Sequence, residues 1–140
     1  DTSLLAGYDG VEYVGSVGVY DRARLMGGAT ALLCPTQYVG PFEGVHAEAQ
    51  LCGTPVITTD WGVFVETVEQ GVNGWRCRDL GEFTWAAKHT NGMDRGIIRK
   101  NAQARYDMNV VSHRYDAYFD RVDTLWGDGW YSEREQRPAG

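Results

Sequence analysis

The fold is decided by residues 31–59, which read ALLCPTQYVGPFEGVHAEAQLCGTPVITT. Residues 31–34 form an apolar run without alternation that stops at Pro35, and residues 55–59 form a second such run. Runs of this kind are typical of strands buried on both faces of a parallel sheet. Between them, residues 44–51 predict a helix that ends at Gly53, because glycine commonly follows a helix C-terminus. The order strand, helix, strand predicts an α/β fold.

The alternation continues on both sides of this stretch. Upstream we expect the tail of a buried strand at 4–7, a short strand at 11–15 and a helix capped by Asp21. Downstream we expect a helix over 63–70 and a strand over 74–77. Strands and helices that alternate about four times predict an open parallel sheet with flanking helices, in which ligands bind beyond the carboxyl ends of the strands.

The C-terminal part of the chain is predicted to be helical. Apolar residues at helical spacing mark one face of each of three helices: Leu80, Phe83 and Ala87; Ile97, Ile98 and Ala102; and Val111, Tyr115, Tyr118, Phe119, Val122, Leu125 and Trp126. The last stripe is expected either to face the core or to cover another domain. Residues 128–140 are expected to form a polar tail, which leaves 1–127 as the folded domain.

Composition and charge exclude several function classes. The chain has 140 residues, of which 43% are hydrophobic, and this is enough for one globular domain with its own core. The net charge of −6 argues against a nucleic-acid-binding protein, which needs a basic face. No apolar run approaches the roughly 20 residues that span a bilayer. The cysteines at 34, 52 and 77 form no close pair and are expected to be reduced, small core residues of a cytoplasmic protein.

The stretch richest in chemistry is residues 35–49, where a strand is followed by a loop and a helix start. Such a junction is an anion site, because free N–H groups converge with the positive end of the helix dipole. Glu48 falls about one turn into the helix, where its carboxylate can accept two hydroxyls of a ribose. The alternative is an ordinary exposed Glu that the helix dipole favours.

Other polar and aromatic residues are weaker candidates for contacts with a ligand. His46 is interpreted either as a phosphate or sugar contact or as a helix-surface residue. Asp60 and Trp61 either border the cleft or have structural roles. His89 and His113 are expected to be surface residues.

Further motifs accompany this loop. The most specific is Glu-Ala-x-x-x-Gly-Thr-Pro-Val-Ile at 48–57. The others are YVGSV at 13–17, RLMGGA at 24–29, LLCPT at 32–36, the Pro-Phe pair at 41–42, and Gly62, Glu66, Gly71 and Gly74. Together they resemble the C-terminal domain of GT-B glycosyltransferases, specifically the retaining family-4 group, over about half of the chain. The resemblance implies a Rossmann-like fold and the transfer of a sugar from a nucleotide-activated donor.

The resemblance also implies where the sugar donor binds. Glu48 matches the second Glu of the family's Glu-x7-Glu motif, which binds the nucleotide ribose. The implied donor-binding residues are Gly40, Phe42, Glu43, Gly44, Val45 and Glu48, with Ser16 and Val17 beside the nucleotide base. No metal or other cofactor is expected, because enzymes of this fold stabilise the leaving diphosphate with basic side chains and helix N-termini.

The chain departs from the family motif at two positions. Gly40 stands where the first Glu of the motif falls, and Glu43 stands where a Gly follows the Pro-Phe pair. The first Glu contacts sugar hydroxyls in the family and belongs to its catalytic set, so catalytic residues are not identified here. Glu43 is a candidate to reach the same hydroxyls; the alternatives are that it points to solvent or repels the diphosphate.

The resemblance also suggests that the chain is part of a larger enzyme. The family's diphosphate-binding Arg and Lys and its N-terminal acceptor domain have no counterpart here, so we expect a donor-binding fragment, inactive alone, that self-associates through exposed surfaces. A cytoplasmic location is expected, with peripheral membrane association of the full-length enzyme left open. One alternative is a non-catalytic nucleotide-sugar-binding subunit that works beside a separate acceptor-domain chain. A small doubly wound regulator of the flavodoxin type is the other.

Overall fold

The computed structural model describes residues 8–128, with side chains through residue 126. In chain order the elements are α1 (Val19–Gly28), β1 (Leu32–Cys34), α2 (Gly44–Leu51), β2 (Val56–Thr59), α3 (Phe64–Thr67), β3 (Gly74–Cys77), α4 (Leu80–His89), a 3₁₀ helix (Thr90–Gly92), α5 (Arg95–Tyr106) and α6 (Met108–Asp128). The strand tail predicted at 4–7 and most of the predicted polar tail lie outside the described residues. None of the described helices is long and apolar enough to cross a membrane.

The three described strands form one parallel sheet in the order β1-β2-β3. Leu33 pairs with Ile57, and Ile57 pairs with Trp75. Strand β2 lies in the middle and all four of its residues are buried, as its unbroken apolar run predicts. The predicted open parallel sheet with flanking helices is therefore confirmed.

The hydrophobic core lies on both faces of this sheet. On one face, Val56 and Phe64 pack with side chains from α1, α2 and β1, namely Met26, Ala49 and Cys34. On the other face, Ile57 packs with Cys77 of β3 and with Ala86 of α4. Val56 and Ile57 are neighbours in β2 and serve opposite faces, because successive side chains of a strand alternate.

The cysteines behave as small core residues, as predicted. Cys34 and Cys77 are buried and Cys52 is partly buried, and all three are free thiols. Burial raises the pKa of the Cys34 thiol to about 11, and it raises the pKa of the Cys77 thiol to about 11 as well. These thiols are therefore protonated at neutral pH and are poor nucleophiles.

The prediction of a strand at 11–15 is wrong, because this exposed segment has no strand neighbour within residues 8–128. Gly10 and Gly15 have φ of 79° and 68°, which interrupts an extended run. The cap predicted at Asp21 is also wrong: Gly18 is the N-cap of α1, and Asp21 lies in its first turn.

The helix predicted over 63–70 is shorter than expected. Helix α3 ends at Thr67, because Val68 is extended and the Asn73 side chain accepts the N–H of Glu69. This amide-to-side-chain hydrogen bond gives the chain an alternative to continuing the helix.

Two predicted helix faces also need correction. Leu80 is 81% exposed because it begins α4, and Ala86 rather than Ala87 is the buried residue of that helix. On α5, Ile98 and Ala102 are buried as predicted, whereas Ile97 is exposed.

The aromatic stripe of α6 does not face the described core. Its members Tyr115, Tyr118, Phe119, Val122 and Trp126 are exposed. The core-facing interpretation is therefore wrong for them. That the stripe covers another domain stays a prediction.

The turn between α2 and β2 is held by polar contacts. Arg95 of α5 donates to the carbonyls of Gly27 and Ala29 at 2.7 and 2.8 Å, and to the Thr54 hydroxyl at 2.9 Å. The Thr54 hydroxyl in turn donates to the carbonyl of Met26. One guanidinium thereby satisfies carbonyls at the C-terminal end of α1 and fixes the turn that leads into β2.

The outer edge of β3 is covered by the chain itself. The Gln70 side chain accepts the Arg76 N–H at 2.7 Å and donates to the Arg76 carbonyl at 3.1 Å. The Gly71 N–H donates to the Gly74 carbonyl at 2.9 Å. These contacts occupy backbone groups that an edge strand otherwise leaves open.

Candidate functional site

The candidate site lies at the carboxyl edge of the sheet, where β1 leads into α2. The loop between them is tied to β2, because the Thr59 hydroxyl donates to the Thr36 carbonyl at 2.8 Å. The loop after β2 packs on it as well: a Cβ on Gly62 would lie 3.5 Å from the Gly40 carbonyl oxygen. Two loops therefore meet at the edge where parallel α/β sheets bind ligands.

Helix α2 begins at Gly44 with no side-chain cap. Its N-cap residue, Glu43, turns its side chain elsewhere. Gly44 and Val45, at the first two positions, are exposed, and Phe42 before them is 52% exposed. An uncapped and exposed helix N-terminus presents backbone N–H groups and the positive end of the helix dipole to an anion.

Glu48 lies in the second turn of α2 and is bound by Arg22 of α1. Arg22 Nε lies 2.6 Å from Glu48 Oε2, and Arg22 Nη2 donates to Glu48 Oε1 at 3.0 Å. Both side chains keep more than a third of their surface exposed, at 37% and 42%. Glu48 is thus held in an ion pair with Arg22, and its role as a ribose ligand rather than an ordinary exposed Glu stays a prediction.

Glu43 turns into the protein at the end of β1. The Thr36 hydroxyl donates to its Oε2 at 3.1 Å, while its Oε1 is buried without a hydrogen-bond partner among the described residues. The expectation that Glu43 points to solvent is therefore wrong. A buried carboxylate oxygen without a partner is costly, so a hydrogen-bond donor at Oε1 would be favourable.

Gly40 explains why Glu43 can turn inward. A Cβ on Gly40 would lie 3.1 Å from Glu43 Oε1 and 3.2 Å from Tyr38 Cε2. The carboxylate of Glu43 therefore occupies the space into which a side chain at position 40 would project. The two departures from the family motif are spatially coupled.

His46 is completely buried, so the helix-surface interpretation is wrong. Its ring packs against Phe42, Phe64 and Tyr106, with ring centroids 5.3, 5.5 and 6.4 Å away. Burial lowers the pKa of His46, and the backbone and carboxylate of Glu43 oppose part of that shift. The imidazole is therefore neutral at pH 7 and closes the inner side of the site.

Ser16 and Val17 lie in the irregular segment before α1. Ser16 is exposed and Val17 is half-buried. Val19, two residues further on, lines a cavity of about 180 Å³ together with Arg22 and Glu48. The structure thus brings the start of α1 close to Glu48. Ser16 and Val17 themselves do not line this cavity.

Sequence reasoning missed Arg22 as a partner of Glu48. Arg22 lies 26 residues before Glu48, so only the packing of α1 on α2 brings them together. A separation of this size leaves no local pattern in the sequence that would indicate the ion pair.

The remaining sequence candidates lie elsewhere or on the surface. Asp60 pairs with Arg76 at 3.3 Å in a cavity of about 420 Å³ beside β3, which Trp75 and Trp85 also line. Trp61 is 37% exposed. His89 and His113 are exposed, as predicted.

Within residues 8–126, no three His, Cys, Asp or Glu side chains come close enough together to hold a metal ion. The polar groups that the structure does bring together are the Arg22–Glu48 pair, the Glu43 carboxylate and the uncapped start of α2. This set suits a ligand with hydroxyl groups and an anionic group.

Comparison with known proteins places the chain in a family of glycosyl transferases. The family described as "Glycosyl transferases group 1" matches residues 2–90. The chain is also similar to spore coat protein SA of Bacillus subtilis (strain 168), with 34% identity over 107 residues. The aligned region is 76% of this chain and 28% of the relative, so the chain spans well under half of that protein's length.

Proposed function

The chain belongs to the group 1 glycosyl transferases, and from this premise we propose that it is the donor-binding part of an enzyme that transfers a sugar from a nucleotide-activated donor. Membership of the family supports sugar transfer in general. The proposal adds the role of this part of the enzyme, the nucleotide nature of the donor, and retention of configuration at the transferred sugar.

The observation that carries the proposal is the uncapped start of α2 with two carboxylates around it. We assign the backbone N–H groups of Gly44 and Val45 to the diphosphate. As hydrogen-bond donors at the positive end of a helix dipole, they attract an anion. Glu48, one turn further along, is offered to the ribose hydroxyls. Ser16 and Val17 are assigned to the side of the base, since the segment after them reaches the cavity beside Glu48.

Glu43 is assigned to the transferred sugar. Its buried Oε1 lacks a partner among the described residues, and a rotation of the side chain toward the loop would let a sugar hydroxyl donate the missing hydrogen bond. Gly40 contributes by leaving the space in which this carboxylate lies. Phe42, half exposed at the same loop, supplies apolar surface beside the sugar.

The proposed chemistry needs no metal in this part of the enzyme. The leaving diphosphate gains negative charge as the glycosidic bond breaks, and preorganised N–H groups at a helix start stabilise such charge. An acceptor must come from outside this site, so we propose that a second domain or a separate chain supplies it. The isolated 140-residue chain is then expected to bind the nucleotide sugar without transferring it.

A binding experiment tests the proposal directly. The ¹⁵N-labelled chain is titrated with UDP, GDP and ADP and with UDP-glucose, GDP-mannose and ADP-glucose, and amide shifts are followed by NMR. We expect millimolar binding of a nucleoside diphosphate, worth about −4 kcal/mol, with the amides of Gly44 and Val45 among those that shift. Glu48→Ala should weaken binding at least about tenfold, since it removes hydrogen bonds to a charged group.

Glu69→Ala is the matched control, because Glu69 is exposed and lies outside the site. It should leave the affinity unchanged. If Glu48→Ala and Glu69→Ala bind every ligand equally well, or if shifts appear only at the β3 cavity, the proposed donor site is wrong. Measurable sugar transfer by the purified chain alone would contradict the expectation that a second domain supplies the acceptor.

A further inference from the structure

Arg22 and Glu48 form a short ion pair between α1 and α2. Two guanidinium nitrogens approach the two oxygens of one carboxylate, at 2.6 and 3.0 Å, across the interface of α1 and α2. The planar guanidinium thereby contacts both oxygens, through one hydrogen bond from Nη2 and the close approach of Nε, and this fork restricts rotation of the carboxylate.

We propose that Arg22 is a positioning residue that holds the Glu48 carboxylate for the two vicinal hydroxyls of a ribose, and so makes the site selective for ribonucleotides over 2′-deoxyribonucleotides. The proposal rests on the proposed function, because it assumes that Glu48 meets the ribose. It adds a residue and a selectivity that the family match does not supply.

The Glu48 carboxylate can accept more hydrogen bonds than Arg22 donates to it. Each carboxylate oxygen has two lone pairs. Arg22 Nη2 donates one hydrogen bond to Oε1, and Arg22 Nε lies beside Oε2 as an ion-pair partner. The Glu48 side chain is 42% exposed, so a ligand in solvent can approach it. A vicinal diol can donate one hydrogen bond to each oxygen.

Arg22 also preorganises the carboxylate. An unpaired Glu on a helix surface samples several rotamers, and binding then costs about 0.5–1.5 kcal/mol to immobilise the side chain. Arg22 removes this cost in advance by fixing the carboxylate before the ligand arrives. The benefit is greatest for a ligand that uses both oxygens at once, because two hydrogen bonds depend on the plane of the group.

The surface beneath the ion pair contributes as well. Arg22 and Glu48 border a cavity of about 180 Å³ whose other walls are apolar: Val19, Ala23, Met26, Leu51 and Cys52. On that side the carboxylate has no competing polar side chain. On this side of the carboxylate, Arg22 is therefore the polar partner that favours one orientation of Glu48.

The test measures the ratio of ribonucleotide to 2′-deoxyribonucleotide affinity, which a purely structural role would not change. The probes are UDP, GDP and ADP and their 2′-deoxy forms, bound to the full 140-residue chain. The wild-type chain should prefer the ribonucleotide about tenfold or more, as expected for losing a hydrogen bond to a charged group. Arg22→Met should reduce the preference to less than about threefold, and Arg22→Lys should be intermediate, because one ammonium cannot form the fork.

Arg24→Met is the matched control. Arg24 lies on the same helix, is well exposed, and pairs with Asp21 at 3.5 Å rather than with Glu48. It should retain the wild-type ratio. Thermal unfolding of each variant separates a change in the ratio from a loss of folded protein.

The outcomes distinguish this proposal from the proposed function. If Glu48→Ala abolishes the ribose preference but Arg22→Met leaves it intact, Glu48 binds ribose and the role of Arg22 is refuted. If Arg22→Met tightens ribonucleotide binding, Arg22 competes with the ligand and the proposal is refuted as well. If Glu48→Ala leaves the preference intact, or if the wild-type chain binds no nucleotide, the proposed function fails and this inference fails with it.

Discussion

The two ends of helix α2 differ in how well the polar groups around them are hydrogen-bonded. At its C-terminal end, Gly53 turns the chain, the Thr54 hydroxyl donates to one carbonyl and accepts from Arg95, and Arg95 itself bonds two more carbonyls. At its N-terminal end, Glu43 Oε1 and both ring nitrogens of His46 are buried without hydrogen-bond partners among the described residues.

The difference separates the part of the molecule that holds the fold from the part that is available for a ligand. Satisfied polar contacts rigidify a turn, whereas unsatisfied buried groups lower stability unless something binds them. Variants at the C-terminal end should therefore change the free energy of unfolding with little relation to ligands. Variants at the N-terminal end should change stability less and respond to ligands and pH.

The largest effect is expected from Gly53→Ala at the C-terminal end. Gly53 has φ of 75°, and an added Cβ would lie 2.8 Å from the Arg95 carbonyl oxygen. The left-handed conformation and the clash together should lower the free energy of unfolding by about 3 kcal/mol, measured by urea denaturation. Gly28→Ala is the control, because a Cβ there meets nothing within 4 Å. Equal stabilities of the two variants would remove the contrast between the ends of α2.

Next in size is Arg95→Met at the same end. The change leaves the Gly27 and Ala29 carbonyls and the Thr54 hydroxyl without their charged partner. We expect a loss of about 2 kcal/mol in the free energy of unfolding. Arg99→Met, on the same helix, should change it by less than about 0.5 kcal/mol. A loss no larger than that of the control would mean that these hydrogen bonds contribute little.

The exchanged residues at the N-terminal end should show smaller, coupled effects. Gly40→Glu alone places a second carboxylate in the space of Glu43 and should cost about 1–2 kcal/mol of unfolding free energy. The double variant Gly40→Glu/Glu43→Gly should recover at least about 1 kcal/mol of this loss, measured as a double-mutant cycle. Additive losses would show that the two positions do not share space.

Glu43→Gly alone also tests how this carboxylate affects the diphosphate. Removing its negative charge from the start of α2 should raise the affinity for a free nucleoside diphosphate about fivefold, or about 1 kcal/mol. The affinity for the nucleotide sugar should rise less, since the sugar loses a hydrogen-bond partner. Unchanged or weaker diphosphate binding would exclude repulsion by Glu43.

The smallest effect is expected from His46→Leu and is measured as a change in pH dependence, because the substitution also alters the packing of a buried ring at every pH. Burial among Phe42, Phe64 and Tyr106 lowers the pKa of His46, so the unfolded chain binds a proton that the folded chain does not. Stability from this source is present above the unfolded pKa near 6.5 and is lost as the pH falls below it. Between pH 7.5 and 5.5, the wild-type chain should therefore lose more unfolding free energy than His46→Leu.

His113→Leu serves as the control for this pH dependence. His113 is exposed on α6, and its variant should follow the wild-type curve. If His46→Leu loses as much stability as the wild type on acidification, the buried imidazole does not govern the acid response of this region.

The sequence predicted the central elements almost residue by residue. Helix α2 begins and ends where expected, and so does β3, while β1 and β2 each differ by one residue at the start. Pro35, Gly53 and Gly71 lie at the ends of these elements. Proline lacks the N–H that would continue a strand, and the two glycines allow the chain to turn. The segment at 11–15 has similar β propensity but no neighbour in the described sheet, so local preference alone did not make it a strand.

The candidate site could be located but not built from the sequence. Its position followed from the strand, loop and helix order and from the family motif. The burial of His46 depends on Tyr106 of α5, and the orientation of Glu48 depends on Arg22 of α1. Both are contacts between elements distant along the chain, and no local periodicity contains them. The inward turn of Glu43 depends on the empty space at Gly40, which became visible only in three dimensions.

The Gln70 side chain has a consequence for how copies of this chain can assemble. By bonding both backbone groups of Arg76, it stops sheet growth at β3. Strand β1, at the opposite edge, has no neighbouring strand within the described residues. If two copies pair through β1, both outer edges of the combined sheet are blocked β3 edges, so assembly ends at a dimer. A sheet that is open at both edges can instead extend into a fibre.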